Sequence, residues 1–468
     1  MPPGTGAEPP PGGSRNPSNG QPSPRSLLQA GPGGWRSQAT LSGGGGRSRN
    51  CRPRRFLDSW GDGATPTLYS GCTCCPEHCV YCNGGIVQTL RVWLKAGHTV
   101  EIIRRLLPEF RASTGIEVAL ELVPEGVAHD ALVQGSALAD VVTVPFWYLE
   151  ELRAAGNLLP VATADVGLDE RAFVPDALGA LRRGGVLWAV PHTLTGGMLA
   201  YRQDAFDAAG LGRPQSLADV LTADAVLQER GMGLVARCNG EFSSLETFSG
   251  WAAAKSVRLL PDAGDPTFED LRDGAGDLVQ ALSGGPRDLT ALDYAGVGNL
   301  VSAGHASHLF DTSAWAFQFE EPGSPVRGLM GYTTVGDALP AQFVYAEGLG
   351  ITAGCRSEEA ARQFIAWRHS EEVLRAEVEG VRRIDIPRAD LRERDWYRDF
   401  VAAAGLQDCL RAVDKSWSGI DFRHIPLRVD FVGAARRLMS AISGTVSGKY
   451  VSLAEAYDVT YQQDGRPR

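Results

Sequence analysis

From Thr89 onward the apolar residues of this chain recur first at every second position and then at every third or fourth, and this alternation restricts the fold more than any other feature. "TLRVWLKAG", residues 89–97, alternates as a short strand. "TVEIIRRLLPEFRASTG" then has the apolar spacing of a helix that Gly115 closes. "IEVALELVP" predicts a second strand, "HDALVQGSALA" a helical stretch, "DVVTVPF" a third, continuously apolar strand, and "WYLEELRAAGNLLPV" another helix with a glycine stop. Strands that alternate with helices in this way build a parallel or mixed sheet covered on both faces. At 468 residues the chain is too long for one hydrophobic core, so two packed units are expected.

Residues 1–86 are a different material. "MPPGTGAEPPPGGSRNPSNGQPSPRS" and "LSGGGGRSRNCRPRR" are Pro, Gly, Ser and Arg with almost no aliphatic content, so burial cannot offset the entropy of ordering them and a disordered extension is expected. Neither Met1 nor the Arg54-Arg55-Phe56-Leu57 run leads into the apolar stretch that an export signal needs. "CTCCPEHCVYC" packs Cys72, Cys74, Cys75, Cys79 and Cys82 around His78, a density that suits zinc, but a zinc ribbon needs a second knuckle and none follows. Disulfides or stray thiols in a flexible segment explain the cluster better, and no function at all is the preferred reading, since no Met lies between Met1 and Met198 and the start can be misplaced upstream of one near Val80 or Val87. No metal site is expected. A formal net charge of −10, with bases and acids interspersed beyond the extension, argues against a nucleic-acid partner.

The order of the later motifs is more specific. A strand ending near Trp93 and "FRASTGIEV" are followed by "GSALADVVTV", "LEELRAAGNLLPV", "FVPDAL" and "GGVLWAVPHTLTGGMLAYRQDAFDAAGLGRPQSLADV". "GHASHLFDTSAWAF", "AARQFIAWRHSEE" and "LMSAISGTVSGKYVSLAEAYD" complete the series. From about Thr89 to about Gln463 this resembles the extracellular solute-binding proteins of family 1, the maltose-binding type of ABC-importer receptor, with Ala139 where the family commonly has Pro. The resemblance implies the type II periplasmic-binding-protein fold: two α/β lobes with three crossings between them, here behind a disordered N-terminal extension. The crossings would be "VPHTLTGGMLAY", "SHLFDTSAW" and "YAEGLGIT". Residues 87–195 with 312–346 are then expected in one lobe, and 196–311 with 347–468 in the other. Gly196 and Gly197 would give the first crossing its backbone freedom.

No GxSxG, Walker loop, HExxH or strand-linked GxGxxG is present, the neighbouring acids Glu150-Glu151 and Glu320-Glu321 read as solvated charges, and neither an enzyme nor a cofactor is expected. A sugar cleft should mix aromatic rings, which stack on C–H faces, with side chains that bond hydroxyls. Trp147, Trp251 and Trp315 are the aromatic candidates; Lys95, His192, Thr195, Asp311 and Glu347 are the polar ones, all at crossings or strand ends. Arg383 and Trp417 are weaker candidates, and Trp188 and Trp367 read as core. The expected function is therefore a monomeric, extracytoplasmic receptor that binds a small solute, by preference a carbohydrate, and delivers it to ABC permease subunits. A non-sugar solute, or an intracellular sensor on the same fold, is the alternative.

Overall fold

The computed structural model describes residues 89–95, 97, 99–241, 244–283, 288–335, 345–418 and 428–461. The extension 1–86, with its cysteine cluster, lies outside them. Twelve strands are present among the described residues: β1 Thr89–Leu94, β2 Glu117–Leu122, β3 Val141–Pro145, β4 Leu158–Leu159, β5 Arg182–Arg183, β6 Val186–Leu187, β7 Val190–Thr195, β8 Gly197–Arg202, β9 Gly233–Val235, β10 Ala306–Thr312, β11 Met330–Thr333 and β12 Tyr345–Thr352.

The opening alternation folds as read. β1 pairs in parallel with β2 on one side and β3 on the other, and the helix Val100–Thr114 returns the chain between β1 and β2. That helix ends where Gly115 takes a φ of 74° and donates its N–H to the Arg111 carbonyl at 2.8 Å. All five residues of β3 are buried, which is why "VVTVP" carries no polar face. The helical stretch in "HDALVQGSALA" starts earlier, at Glu125, and ends at Val133. The strands form two main sheets. The first runs β2-β1-β3-β12-β4, with β7 also paired to β12; the second runs β11-β8-β10-β9; β5 and β6 form a separate hairpin. The turn of that hairpin is Gly184-Gly185, with φ of 59° and 79°, a left-handed pair that matches strand twist.

β7 lies in the first sheet and β8 in the second, separated only by Gly196, so "VPHTLTGGMLAY" is a passage between them. The reason for glycine differs from the expected one. Neither Gly196 nor Gly197 has a positive φ. A Cβ on Gly196 would instead stand 2.3 Å from Ser416 Oγ and 3.1 Å from the Val413 backbone. The requirement is space.

The other two passages and the division of residues 312–346 and 347–468 are corrected. β10 stays wholly in the second sheet, paired with β8 and β9, and β11 pairs antiparallel with β8, so residues up to 333 belong with that sheet. β8 has two edges to satisfy, and β11 covers the one that β10 leaves. "YAEGLGIT" is a central strand of the first sheet, antiparallel to both β3 and β7. Its glycines mark tight packing: a Cβ on Gly348 would lie 2.7 Å from the Val190 carbonyl oxygen, and one on Gly350 would lie 2.8 Å from Val144 Cγ2. The following helix, Glu358–Arg368, remains on the first-sheet side, where Phe364 and Trp367 pack 5.8 Å and 5.0 Å from Phe110. Helix Gln407–Trp417 packs on β8 and β11. The chain thus changes sheets between β11 and β12, and again between Arg392 and Gln407. Glu151 and Glu320 are also buried rather than solvated: Glu151 accepts from the Val432 N–H at 3.1 Å, and Glu320 from the Tyr332 hydroxyl at 2.8 Å.

Candidate functional site

Parallel strands end together, and the ends of β1 and β3 open onto one edge of the first sheet. Lys95 follows β1, and Phe146-Trp147-Tyr148 follows β3. β12 runs the opposite way, so its first residues arrive at the same edge: Glu347 lies opposite Pro145 and Thr193, and Tyr345 opposite Thr195. The two-residue period puts Thr193, Thr195, Tyr345 and Glu347 on one face.

Their side chains connect. Lys95 Nζ donates to the Tyr345 hydroxyl at 3.0 Å and pairs with Glu125 at 2.8 Å, its ammonium 4.5 Å from the Tyr345 ring centre. Tyr345 in turn donates to Glu347, which also accepts from Thr193 Oγ1 at 3.2 Å. Trp147 Nε1 donates to Glu125 at 3.0 Å, and its ring stacks at 16° on Phe431, centroids 6.2 Å apart. Burial alone would lower the Lys95 pKa, but Glu125, Glu347 and Glu246 outweigh it and hold the ammonium charged.

Glu246 comes from the other sheet's layer, on helix Leu245–Ala254. Arg237, just beyond β9, binds Asp311 of β10 through Nε and Nη2, both at 2.7 Å, and Nη2 also reaches Glu246 at 2.5 Å. Thr247 donates to Asp311 at 3.3 Å. Burial, reinforced by Asp311, lifts the Glu246 carboxyl to about 7 against the pull of Arg237 and Lys95. The same guanidinium lies 5.7 Å from the ring centre of Tyr294.

A second polar seam ties the sheets together beside Gly196. Ser313 N–H donates to the Gly196 carbonyl at 2.7 Å, and Gly196 N–H to Ser313 Oγ at 3.1 Å. Ser313 Oγ donates to Asp385 at 3.3 Å, and Asp385 accepts from Arg383 Nε at 3.2 Å. Arg383 Nη2 donates to the His192 carbonyl at 2.5 Å and to Thr193 Oγ1 at 2.7 Å.

Of the eight residues singled out from sequence, Lys95, Trp147, Thr195 and Glu347 gather at the first-sheet edge and Asp311 lies in the group opposite. His192 also reaches this edge, where the strand register shifts at Glu347: its Nε2 lies 3.6 Å from the Glu347 carboxylate and its Nδ1 3.3 Å from the Glu347 carbonyl oxygen, while burial, with Arg368 and Arg383 nearby, drives its pKa well down and keeps the imidazole neutral. Trp251 is 0% exposed, edge-on to Phe310 at 5.3 Å, with Nε1 donating to Asp277 at 2.9 Å. It is a core residue that seats the helix carrying Glu246. Trp315 is also enclosed: it stacks on Tyr294 at 3.9 Å, so tightly that a Cβ on Gly298 would overlap its ring at 2.2 Å. Tyr294, Tyr345, Arg237, Glu246 and Glu125 were not singled out from the sequence. Arg237 left a trace, a charge set directly after the apolar run "GLVA".

Residues 96–373 match the family described as bacterial extracellular solute-binding protein. A comparison of the sequence with curated proteins finds no match. Among solved structures, an ABC-transporter solute-binding protein from Agrobacterium vitis S4 with bound D-mannitol has a TM-score of 0.70 and 19% identity, over 81% of this chain and 98% of that one. One from Agrobacterium radiobacter K84 in complex with ribitol has a TM-score of 0.69 and 21% identity, over 80% and 98%. One from Thermotoga lettingae TMO bound with α-D-tagatose has a TM-score of 0.68 and 15% identity, over 80% and 98%. At these identities the likeness establishes the fold.

Proposed function

The chain belongs to the bacterial extracellular solute-binding proteins, and from that membership we propose that it is a carbohydrate or polyol receptor serving an ABC importer. Its fold is that of the type II periplasmic binding proteins. The observation that carries the reading is the two-sided group of side chains. The first-sheet edge offers Lys95, Trp147, Thr195, Tyr345 and Glu347, and the second offers Arg237, Glu246, Tyr294 and Asp311, close enough that Lys95 and Glu246 influence each other's charge. A polyhydroxy solute needs this mixture of carboxylates and cations for hydroxyls and of ring faces for C–H edges. The relatives from Agrobacterium and Thermotoga hold mannitol, ribitol and tagatose, which supports a ligand of that class.

In this proposal no bond is made or broken. A solute that touches both sets stabilises the arrangement in which they face each other, by as much as its affinity differs between closed and open forms. The permease partner then reads the closed form. Among the described residues no helix is long and apolar enough to cross a membrane.

Calorimetric titration with D-mannitol, ribitol, D-glucitol, D-tagatose, maltose and maltotriose, with small-angle scattering on each binder, tests this. At least one should bind, and the scattering radius should fall. Binding without compaction would place the ligand elsewhere, and no binding by any of them would overturn the carbohydrate reading.

A further inference from the structure

One guanidinium serves two buried carboxylates. Asp311 and Glu246 both close on Arg237, and all three are under a tenth exposed, at 4%, 7% and 7%. With both carboxylates ionised the group carries one more negative than positive charge. The facing cation, Lys95, does not restore the balance, because it is held by Glu125 and stands over a tyrosine that donates to Glu347. Arg383 comes within reach through Thr193, yet its other contacts go to Glu377, Asp385 and the His192 carbonyl. Arg436 lies near Gly126 and is felt by Tyr148. An independent observation points to a ligand: Thr195, 6% exposed, has no hydrogen-bond partner for its hydroxyl and shares the face of Tyr345 and Glu347.

We infer that the site selects a polyhydroxy solute bearing a protonated amine, with the ammonium against Glu246 and a hydroxyl against Thr195. This rests on the receptor reading above and narrows its ligand class. A ligand cation would supply the charge that Arg237 divides between two partners, and ion-assisted hydrogen bonds are the strong ones when buried. The rings of Tyr294 and Tyr345 already attract cations over their faces, Arg237 at 5.7 Å and Lys95 at 4.5 Å. In the empty site burial holds the Glu246 carboxyl up to about 7, with Arg237, Asp311, Lys95, Tyr294 and Tyr345 as the groups around it. Below that pH it is protonated and indifferent to an ammonium; above it, the full charge is available.

The probes are D-glucitol, D-mannitol and ribitol, each with its 1-amino-1-deoxy counterpart, whose alkylammonium stays protonated from about pH 6 to about pH 8. On the native chain at about pH 8, at least one amine member should bind about tenfold or more tightly than its neutral partner, and the ratio should shrink at about pH 6. The ratio should also shrink in Glu246→Gln, while the pH series needs only the native protein. If every amine member binds no better than its neutral partner, or does not bind, the inference fails, and the receptor reading then stands or falls on the neutral panel alone. A preference that persists unchanged in Glu246→Gln or at both pH values also overturns it.

Discussion

Replacing Glu246 by Gln should stabilise the ligand-free protein, and increasingly so as the pH rises. Burial first, then Asp311, lifts this carboxyl from its ordinary 4.5 to about 7 although Arg237 and Lys95 oppose the change. A carboxyl whose folded pKa is raised binds more protons folded than unfolded between those two values, so stability falls with rising pH across that window. The penalty is near zero below the unfolded value and complete above the folded one. At 1.36 kcal/mol for each pH unit between 4.5 and about 7, it reaches about 3 kcal/mol, an upper figure because Gln keeps only an uncharged bond to Arg237. Urea melts of both proteins without ligand, at about pH 5 and about pH 8, isolate the effect, since the other titrating groups are common to both. The stability gap should be below about 1 kcal/mol at the lower pH and widen to about 2–3 kcal/mol in favour of the variant at the higher. A gap that does not change with pH, or a variant less stable at pH 8, would mean that Arg237 neutralises both carboxylates and that Glu246 is ionised throughout.

Gly196→Ala should cost about 1–3 kcal/mol by overpacking, and Ser416→Ala in the same chain should restore much of it by removing the oxygen at 2.3 Å; a thermal melt of the double variant that shows no recovery would place the strain in the Val413 backbone instead. Trp147→Ala should weaken the best sugar or polyol by about one to two decades in a calorimetric titration. Trp251→Phe should lower the melting temperature, through loss of its bond to Asp277, and leave that affinity within about threefold, whereas equal effects of the two tryptophans would contradict the placement of Trp251 in the core. Arg383→Met leaves Asp385 without its buried counter-charge, while Glu377 keeps Arg368 at 2.6 Å, and should destabilise by about 3–5 kcal/mol in denaturant melts.

The first sheet was legible because its opening strands declare themselves by local pattern: "TLRVWL" alternates, "VVTVP" is apolar but for Thr143, and Gly115 ends the helix where a left-handed residue was required. The sheet to which a strand belongs is not a local property. "YAEGLGIT" has the glycine spacing of a flexible passage and of a central strand pressed by its neighbours, and only the Val190 carbonyl and Val144, more than a hundred residues upstream, decide for the second. The aromatic candidates divided for the same reason. Trp147 is as buried as the other two, at 2% exposure, but it follows a strand end, where position alone brings it beside Tyr345 at the edge, whereas Trp251 and Trp315 sit on helices whose buried face is set by Phe310, Tyr294 and Gly298. Arg237 and Glu246 escaped notice because a lone charge acquires meaning only through its partner, and Asp311 is 74 residues away from Arg237.

This distance has a functional consequence. The first-sheet edge draws Lys95 and Trp147 from one part of the chain and Tyr345 and Glu347 from another, while Arg237, Asp311 and Glu246 arrive on the second sheet. Between the two runs the Gly196 peptide, held on both sides by Ser313 and packed against Ser416. Glu347, Arg237, Asp311 and Glu246 are buried, Lys95 being 34% exposed, and buried ionic groups contribute little net stability compared with apolar residues of the same volume. On the receptor reading proposed above, incompletely neutralised pairs at the facing ends of two sheets serve binding, because the free energy they lack without a solute becomes available to the solute that completes the set.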